Sequence, residues 1–367
     1  MNRTATAPST KRIIAAATVA TLATIGFAGC SSTASSSSST SSAAAGGPIG
    51  VSLIVKTTTN PFFVAMEDGA KKAADKAGVT LTLAAGKADG DEASQITAVE
   101  NAISKGDKGI LITPTGPGVE DALVKARAAG LFVIALDTPP SNKDSVDITF
   151  ATDNYLAGQD IGKWTAAKLA GKKATIAMLD LFGDKIVSVD VNRDQGFLDG
   201  MGINTADKTK NGDEAKSGTY SGGDYEIVGN EPTNGAEDGG RTAAETLLSK
   251  NPNINVVYTI NEPAAYGAYQ AFKAAGKTDM IVVSIDGGCA GVKQVKDGII
   301  GATAQQYPVK MAELGVQAIV DLVTKGTKPA VTSGLDFYNT GVALVTDAAQ
   351  TGVDSIDTTK ASGICWG

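Results

Sequence analysis

Five apolar, strand-like runs in this chain each end at or near a side chain able to hold a hydroxyl group. Residues 51–55 lead to Asn60, 131–136 to Asp137, 255–260 to Asn261, 280–285 to Asp286 and 299–305 to Gln306. In an open parallel α/β sheet, ligands bind outside the carboxyl ends of the strands. Polar groups recurring at that position imply one shared cleft lined with hydrogen-bonding partners, suited to a small polyhydroxylated molecule.

Between these runs lie helical patterns. A helix is expected from Pro61, a residue suited to the first helical position, to Gly78, which suits a C-terminal cap. Strand 79–84, helix 93–104, strand 109–113, helix 119–129 and strand 131–136 follow. After Ala151-Thr152-Asp153-Asn154 the cycle restarts with a helix, then strand 174–179, helix 192–201, strand 226–228 and helix 242–248. Strand 255–260, helix 263–275, strand 280–285, short helix 291–296, strand 299–304, helix 309–324 and a late strand 342–345 complete the series. Strands alternating with helices of 10–15 residues predict an α/β fold with parallel sheets. Two runs of the pattern predict two similar lobes, each a parallel sheet flanked by helices. Residues 204–224 break the rhythm with Gly, Lys, Asp, Thr and Ser and read as a surface excursion. Asp89-Gly90-Asp91-Glu92 lacks the spaced ligands of a calcium loop and reads as helix capping.

The N-terminal residues speak to the compartment. Lys11 and Arg12 precede an apolar run over 13–28 that is shorter than the roughly 20 residues a membrane-spanning helix needs. A basic region, a short apolar stretch and small residues describe an export signal over 1–29. Cys30, directly after Ala28-Gly29, resembles the lipobox of bacterial lipoproteins, in which that thiol is acylated and becomes the new N-terminus. Phe27 departs from the aliphatic residue usual there. Residues 30–48, rich in Ser, Thr, Ala and Gly, read as a flexible tether. The expected location is the outer face of the cell membrane, held by lipid on Cys30. Cys289 and Cys365 remain; in an oxidising compartment they either pair or stay as two buried thiols.

Removing signal and tether leaves about 320 residues, more than one core usually serves, so two lobes are expected. A net charge of −7 with no basic run past residue 12 argues against a nucleic-acid partner. The chain has no His, and two distant cysteines make no zinc spacing, so neither metal nor other cofactor is expected.

A neutral sugar offers apolar C–H faces and a rim of hydroxyls. Asn60-Pro61-Phe62-Phe63 supplies an amide and two rings at the first strand–helix junction; the rings either stack on a ligand or pack the helix onto its sheet. Asp137 and Asp286 each follow an apolar strand and could accept from neighbouring hydroxyls or cap the next helix. Arg193, at the start of the helix read over 192–201, brings five donors. Asn261 and Gln306 add amides. Asp137 and Asp286 could form the carboxylate pair of a hydrolase, but the Arg and amides read as binding partners and no nucleophile has a base, so an enzyme is not expected. A sugar-responsive repressor would need a helix-turn-helix ahead of the first lobe, where the tether stands.

These residues fall in ordered motifs: Asn60-Pro61-Phe62-Phe63, Leu136-Asp137-Thr138, Arg-x-x-Gly-Phe over 193–197, Asn261-Glu262-Pro263-Ala264, Asp286-Gly287-Gly288 and Ala304-Gln305-Gln306-Tyr307-Pro308. Together they resemble the type I sugar-binding proteins of ABC transporters, the ribose-binding-like group, from about residue 49 to the end. The stretch 258–308 and the terminal Cys365-Trp366-Gly367 are most similar to the fructose-binding branch. The resemblance implies that Asn60, Asp137, Arg193, Asn261, Asp286 and Gln306 bond a monosaccharide, with Phe62 and Phe63 against one face. Thr138 stands where ribose-binding relatives often carry Arg, which counts against ribose. The resemblance also implies three crossovers between lobes, near 152–153, 306–307 and 338–340. The lobes are then 49–152 with 307–337, and 153–306 with 338–367. The implied role is a monomeric receptor that closes on a sugar, most readily fructose, and delivers it to the membrane subunits of an ABC permease. The alternative is a receptor for ribose or an inositol-like polyol that presents its ligand to a membrane sensor.

Overall fold

The computed structural model describes residues 48–367, so the readings of the export signal, Cys30 and the tether up to residue 47 lie outside the described residues. The first sheet begins with β1 (Gly50–Val55), β2 (Thr80–Ala85), β3 (Gly109–Ile112), β4 (Phe132–Leu136) and β5 (Ile148–Ala151). Helices α1 (Pro61–Ala77), α2 (Glu92–Lys105) and α3 (Glu120–Ala128) connect its first four strands. The chain continues into a second lobe with α4 (Asn154–Leu169), β6 (Ala174–Asp180), α5 (Ser188–Met201), β7 (Ser217–Tyr220), β8 (Gly223–Pro232) and α6 (Glu237–Lys250). Then come β9 (Val256–Thr259), α7 (Glu262–Ala274), β10 (Ile281–Asp286), α8 (Cys289–Lys296) and β11 (Ala302–Gln305). Helix α9 (Pro308–Lys325) and β12 (Tyr338–Asn339) return to the first lobe, and β13 (Ala343–Val345) and α10 (Thr358–Ala361) end in the second.

The first sheet runs β12-β5-β4-β3-β1-β2 and is parallel throughout. The second runs β13-β11-β10-β9-β6-β8-β7, parallel except for β13 on β11 and β7 on β8. Both sheets are covered on two faces, and the pleat sends alternate residues to opposite cores. Leu53 packs under α1 and α9 whereas Ile54 packs under α2 and α3. In the second lobe Met178 and Tyr258 join the α4–α5 side, while Ala177 and Val257 join the α6–α7 side. That double burial explains why the strands read as continuous apolar runs.

Local chemistry sets the helix ends. Asn60 Oδ1 accepts from the Phe62 N–H at 2.9 Å and Pro61 opens α1; Gly78 closes it at φ 67°, its N–H turned back to Ala74 and Asp75. Asp91 caps α2 through the Ser94 N–H, as the Asp89–Glu92 segment suggested. Helices α4 and α5 touch backbone to backbone: a Cβ on Gly158 would lie 2.3 Å from the Arg193 carbonyl, and one on Gly196 2.3 Å from that of Tyr155. This close approach seats α5, and with it Arg193, against the sheet.

Several sequence expectations need correction. Strand β5 was not foreseen, because the short stretch 148–151 carries only a weak pattern. Helix α5 begins at Ser188 rather than 192, with no side-chain cap to signal its start, so Arg193 lies inside the helix. The excursion 204–224 is only partly solvated: it contains β7, which pairs antiparallel with a ten-residue β8, and it buries Tyr220 and Glu214. Residues 338–339 belong to the first sheet, so the last crossing follows Asn339 instead of preceding Tyr338.

Candidate functional site

A narrow cavity lies between the carboxyl ends of the two sheets. It gathers Asn60, Phe62, Phe63, Asp137, Arg193, Asn261, Asp286 and Gln306, eight of the nine residues singled out as ligand-binding from sequence. Thr138 does not line it; its buried hydroxyl donates to Asp137 Oδ2 at 2.7 Å and so orients that carboxylate. A wider cleft of about 1190 Å³ opens outward and shares Asn60, Asp89 and Asp286 with the inner cavity.

The two aspartates sit on unusual backbone. Among the described residues four non-glycine positions have positive φ, and Asp137 (64°) and Asp286 (142°) are two of them. Such conformations cost on the order of 1–3 kcal/mol each and persist where surrounding structure over-determines them, most often at binding sites. Neither aspartate caps a helix. Asp137 keeps its backbone on the sheet through its N–H to the Phe150 carbonyl at 2.9 Å. Asp286 Oδ1 accepts from Gln306 Nε2 at 3.0 Å.

Arg193 reaches into the cavity from α5. Its Nε donates to Asn154 Oδ1 at 2.8 Å and its Nη1 to the Ile260 carbonyl at 3.0 Å, which leaves Nη2 facing Asp137 Oδ1 at 3.7 Å. Asp137 Oδ1 and Gln306 Oε1 are buried and accept no hydrogen bond within the protein. Buried acceptors are nearly always paired, so these two atoms are suited to receive from a ligand. Asn261 is more committed: its Oδ1 caps α7 through the Ala264 N–H and its Nδ2 donates to the Gly235 carbonyl. Phe62 and Phe63 stand perpendicular, centroids 5.3 Å apart, and belong to the first lobe's core while lining the cavity. Packing the helix and lining the cavity are therefore not alternatives for these rings.

Sequence reasoning missed Lys56, Asp89, Leu181, Val189 and Ile260. Lys56 is the first residue past β1, and Asp89 lies in the turn after β2, so the strand-end rule that found the aspartates could have found both. Lys56 Nζ stands 6.0 Å from the Phe63 ring centroid. Leu181, Val189 and Ile260 bring aliphatic surface from the second lobe to the same cavity that the two rings line. They look like ordinary core residues in sequence and carry no polar signal.

The electrostatics are acidic and buried. Asp286 is pushed up to about 7, by burial first, with Arg193 pulling it down and Asp137 adding to the rise. Beneath it, Glu262 accepts from the Gly287 and Gly288 N–H groups and from Thr303 Oγ1, at 2.9, 3.1 and 2.8 Å. Burial and then the Asp286 charge push Glu262 up to about 8. Glu262 thereby fixes the turn that carries Asp286. Asp190 does the same for the aliphatic surface, accepting from the Leu181 N–H at 2.8 Å.

Two α/β lobes joined by three chain passages, with polar groups from both converging on a cleft, define a solute-binding protein of the type I periplasmic binding fold. The chain belongs to the periplasmic binding protein family, whose domain matches residues 49–328. It is similar to the ribose import binding protein of Salmonella typhimurium, 31% identical over 279 residues, covering 76% of this chain and 86% of that protein. Among solved structures it is similar to a galactofuranose binding protein at 26% identity and TM-score 0.68, covering 81% of this chain and 94% of the other. A solute binding protein from Agrobacterium vitis with bound D-fucose matches at 25% identity and TM-score 0.70, covering 86% and 100%. All three relatives are named as binding proteins, two of them of transport systems, and this chain is a binding protein and not an enzyme.

Proposed function

We propose that this protein is the receptor of an ABC sugar importer, taking one uncharged monosaccharide into the cleft and handing it to a membrane permease. The observation that carries the reading is the convergence of Asp137 from the first lobe with Arg193 and Asp286 from the second on one cavity. Two carboxylates, a guanidinium and the Gln306 amide can pair with a ring of hydroxyls, while Phe62, Phe63 and the aliphatic surface can meet the sugar's C–H faces. Relatives named for ribose, D-apiose and D-allose support a monosaccharide rather than a longer ligand. Fructose leads among the candidates, on the motifs over 258–308 and the terminal Cys365-Trp366-Gly367. Lipid on Cys30 would hold the monomeric receptor at the outer face of the membrane.

A thermal-shift panel of monosaccharides followed by calorimetry tests this. A ligand at 100 times its dissociation constant adds about 2.7 kcal/mol of stability, and fructose is expected to do so with an affinity around micromolar, roughly −8 kcal/mol. If no monosaccharide stabilises the protein, the reading fails; if ribose or allose does so and fructose does not, only the choice of sugar is overturned.

A further inference from the structure

We infer that Trp366 is a positioning residue of the sugar site and the working end of a strap that couples closure of the lobes to that site. The tail is fixed to the second lobe by the Cys289–Cys365 disulfide and by the Cys289 N–H donating to the Trp366 carbonyl at 2.9 Å. One residue further on, the side chain leaves that lobe. The Trp366 indole joins the first lobe's core and meets Phe62 edge-on, centroids 5.4 Å apart. Its Nε1 donates to the Gln306 carbonyl at 2.8 Å, a buried bond at one of the three chain passages between lobes.

Two of the indole's contacts end at residues that line the cavity, Phe62 and Gln306, and a third lies two residues from Asp286. Phe62 is held between Phe63 and Trp366 in two perpendicular ring contacts, which fixes the ring a ligand would touch. The Gln306 main chain is pinned by the indole and by its own N–H to the Asp286 carbonyl at 2.8 Å, so its side chain keeps its bond to the Asp286 carboxylate. Gly288, two residues past Asp286, approaches the indole so closely that a Cβ there would meet it at 3.2 Å. The strap thus ties the first lobe's stacking ring, the Gln306 passage and the Asp286 turn into one unit. Opening the lobes must pull the indole off Phe62 or break its bond to Gln306, because the disulfide holds its root.

The inference rests on the sugar-binding reading, and the chain supplies its own probe. Trp164 and Trp366 are the two tryptophans, and Trp164 lies buried in the second lobe's core with Nε1 donating to the Ala348 carbonyl. In a Trp164→Phe variant the remaining emission reports on Trp366 alone. Adding the sugar found by calorimetry is expected to shift that emission along a curve with the calorimetric dissociation constant. Trp366→Ala is expected to weaken sugar binding about tenfold, and Trp366→Phe, which keeps a ring against Phe62 but loses the bond to Gln306, to recover part of it. An unchanged dissociation constant in a folded Trp366→Ala, or emission that stays flat while calorimetry records binding, overturns the inference. Should Trp366→Ala fail to fold, Trp366→Phe and the emission curve decide it. Absence of any sugar binding by the unaltered protein would instead sink the functional reading.

Discussion

Arg193 Nη2 stands 3.7 Å from Asp137 Oδ1, so a guanidinium rooted in the second lobe faces a carboxylate rooted in the first. Both side chains are almost wholly buried. Desolvating such a pair costs about what its attraction returns, so the contact is weak evidence for stability and better understood as a specificity device. Arg193 is held on its other sides by Asn154 and Ile260, which aims its remaining donors at the cleft.

Arg193→Lys keeps the charge but loses the fork, since an ammonium cannot hold Asn154, Ile260 and the cleft at once. Sugar affinity is expected to fall by about 1–3 kcal/mol. Calorimetry on the two proteins checks this, and equal affinities would remove Arg193 from the site.

Glu262→Gln retains the shape but leaves one carbonyl oxygen to serve three donors. With Gly287, Gly288 and Thr303 no longer all paired, we expect a loss of about 1–3 kcal/mol in stability and a weaker grip by Asp286. Denaturant unfolding reports the first effect and sugar titration the second. A variant with native stability would show that the turn holds without this carboxylate.

Stability should decline as pH rises. Asp190 is pushed up to about 8, by burial and then by Asp180; Glu262 and Asp286 are raised to about 8 and about 7. Carboxyls with raised folded values bind protons more tightly folded than unfolded. Their contribution is complete below the unfolded values of about 4 and is lost as pH climbs through about 7 to 8. The unliganded protein should melt higher at pH 5 than at pH 8.5 by calorimetric scan, and Asp190→Asn should flatten the slope. Sugar affinity should move the other way, rising through pH 7 as Asp286 becomes a charged acceptor.

Cys30→Ser tests the anchor. If the thiol carries lipid, the variant leaves the membrane fraction and the mature wild-type N-terminus shows an acyl mass increment. Identical fractionation of both proteins would argue for simple secretion.

Strand ends were the most legible part of the site. Asp137, Asn261, Asp286 and Gln306 follow apolar runs directly, and each lines the cavity. Lys56 follows the same rule but reads as a surface lysine, because charge ordinarily means exposure; here it is buried. Leu181, Val189 and Ile260 were illegible for the opposite reason, since an apolar residue lining a cavity has the composition of one facing a core. Glu262 was visible only as part of a motif, and its bonds to the Gly287–Gly288 turn join residues 25 and 26 positions apart.

Most elements and their order, though not the short strands β5, β7 and β12, came from the sequence because they depend on near-neighbour physics: the pleat's period of two under double burial, a proline at a helix start, a glycine at its end. The same physics placed polar groups at the carboxyl edges of both sheets. What only the tertiary structure decided is which groups meet across the lobes: Arg193 with Asp137, Trp366 with Phe62 and Gln306. Those pairings depend on how two separately wound sheets are set against each other by three chain passages and a disulfide-bound tail. No local pattern encodes that setting, because the residues concerned lie tens to hundreds of positions apart and contact one another only once both cores have packed.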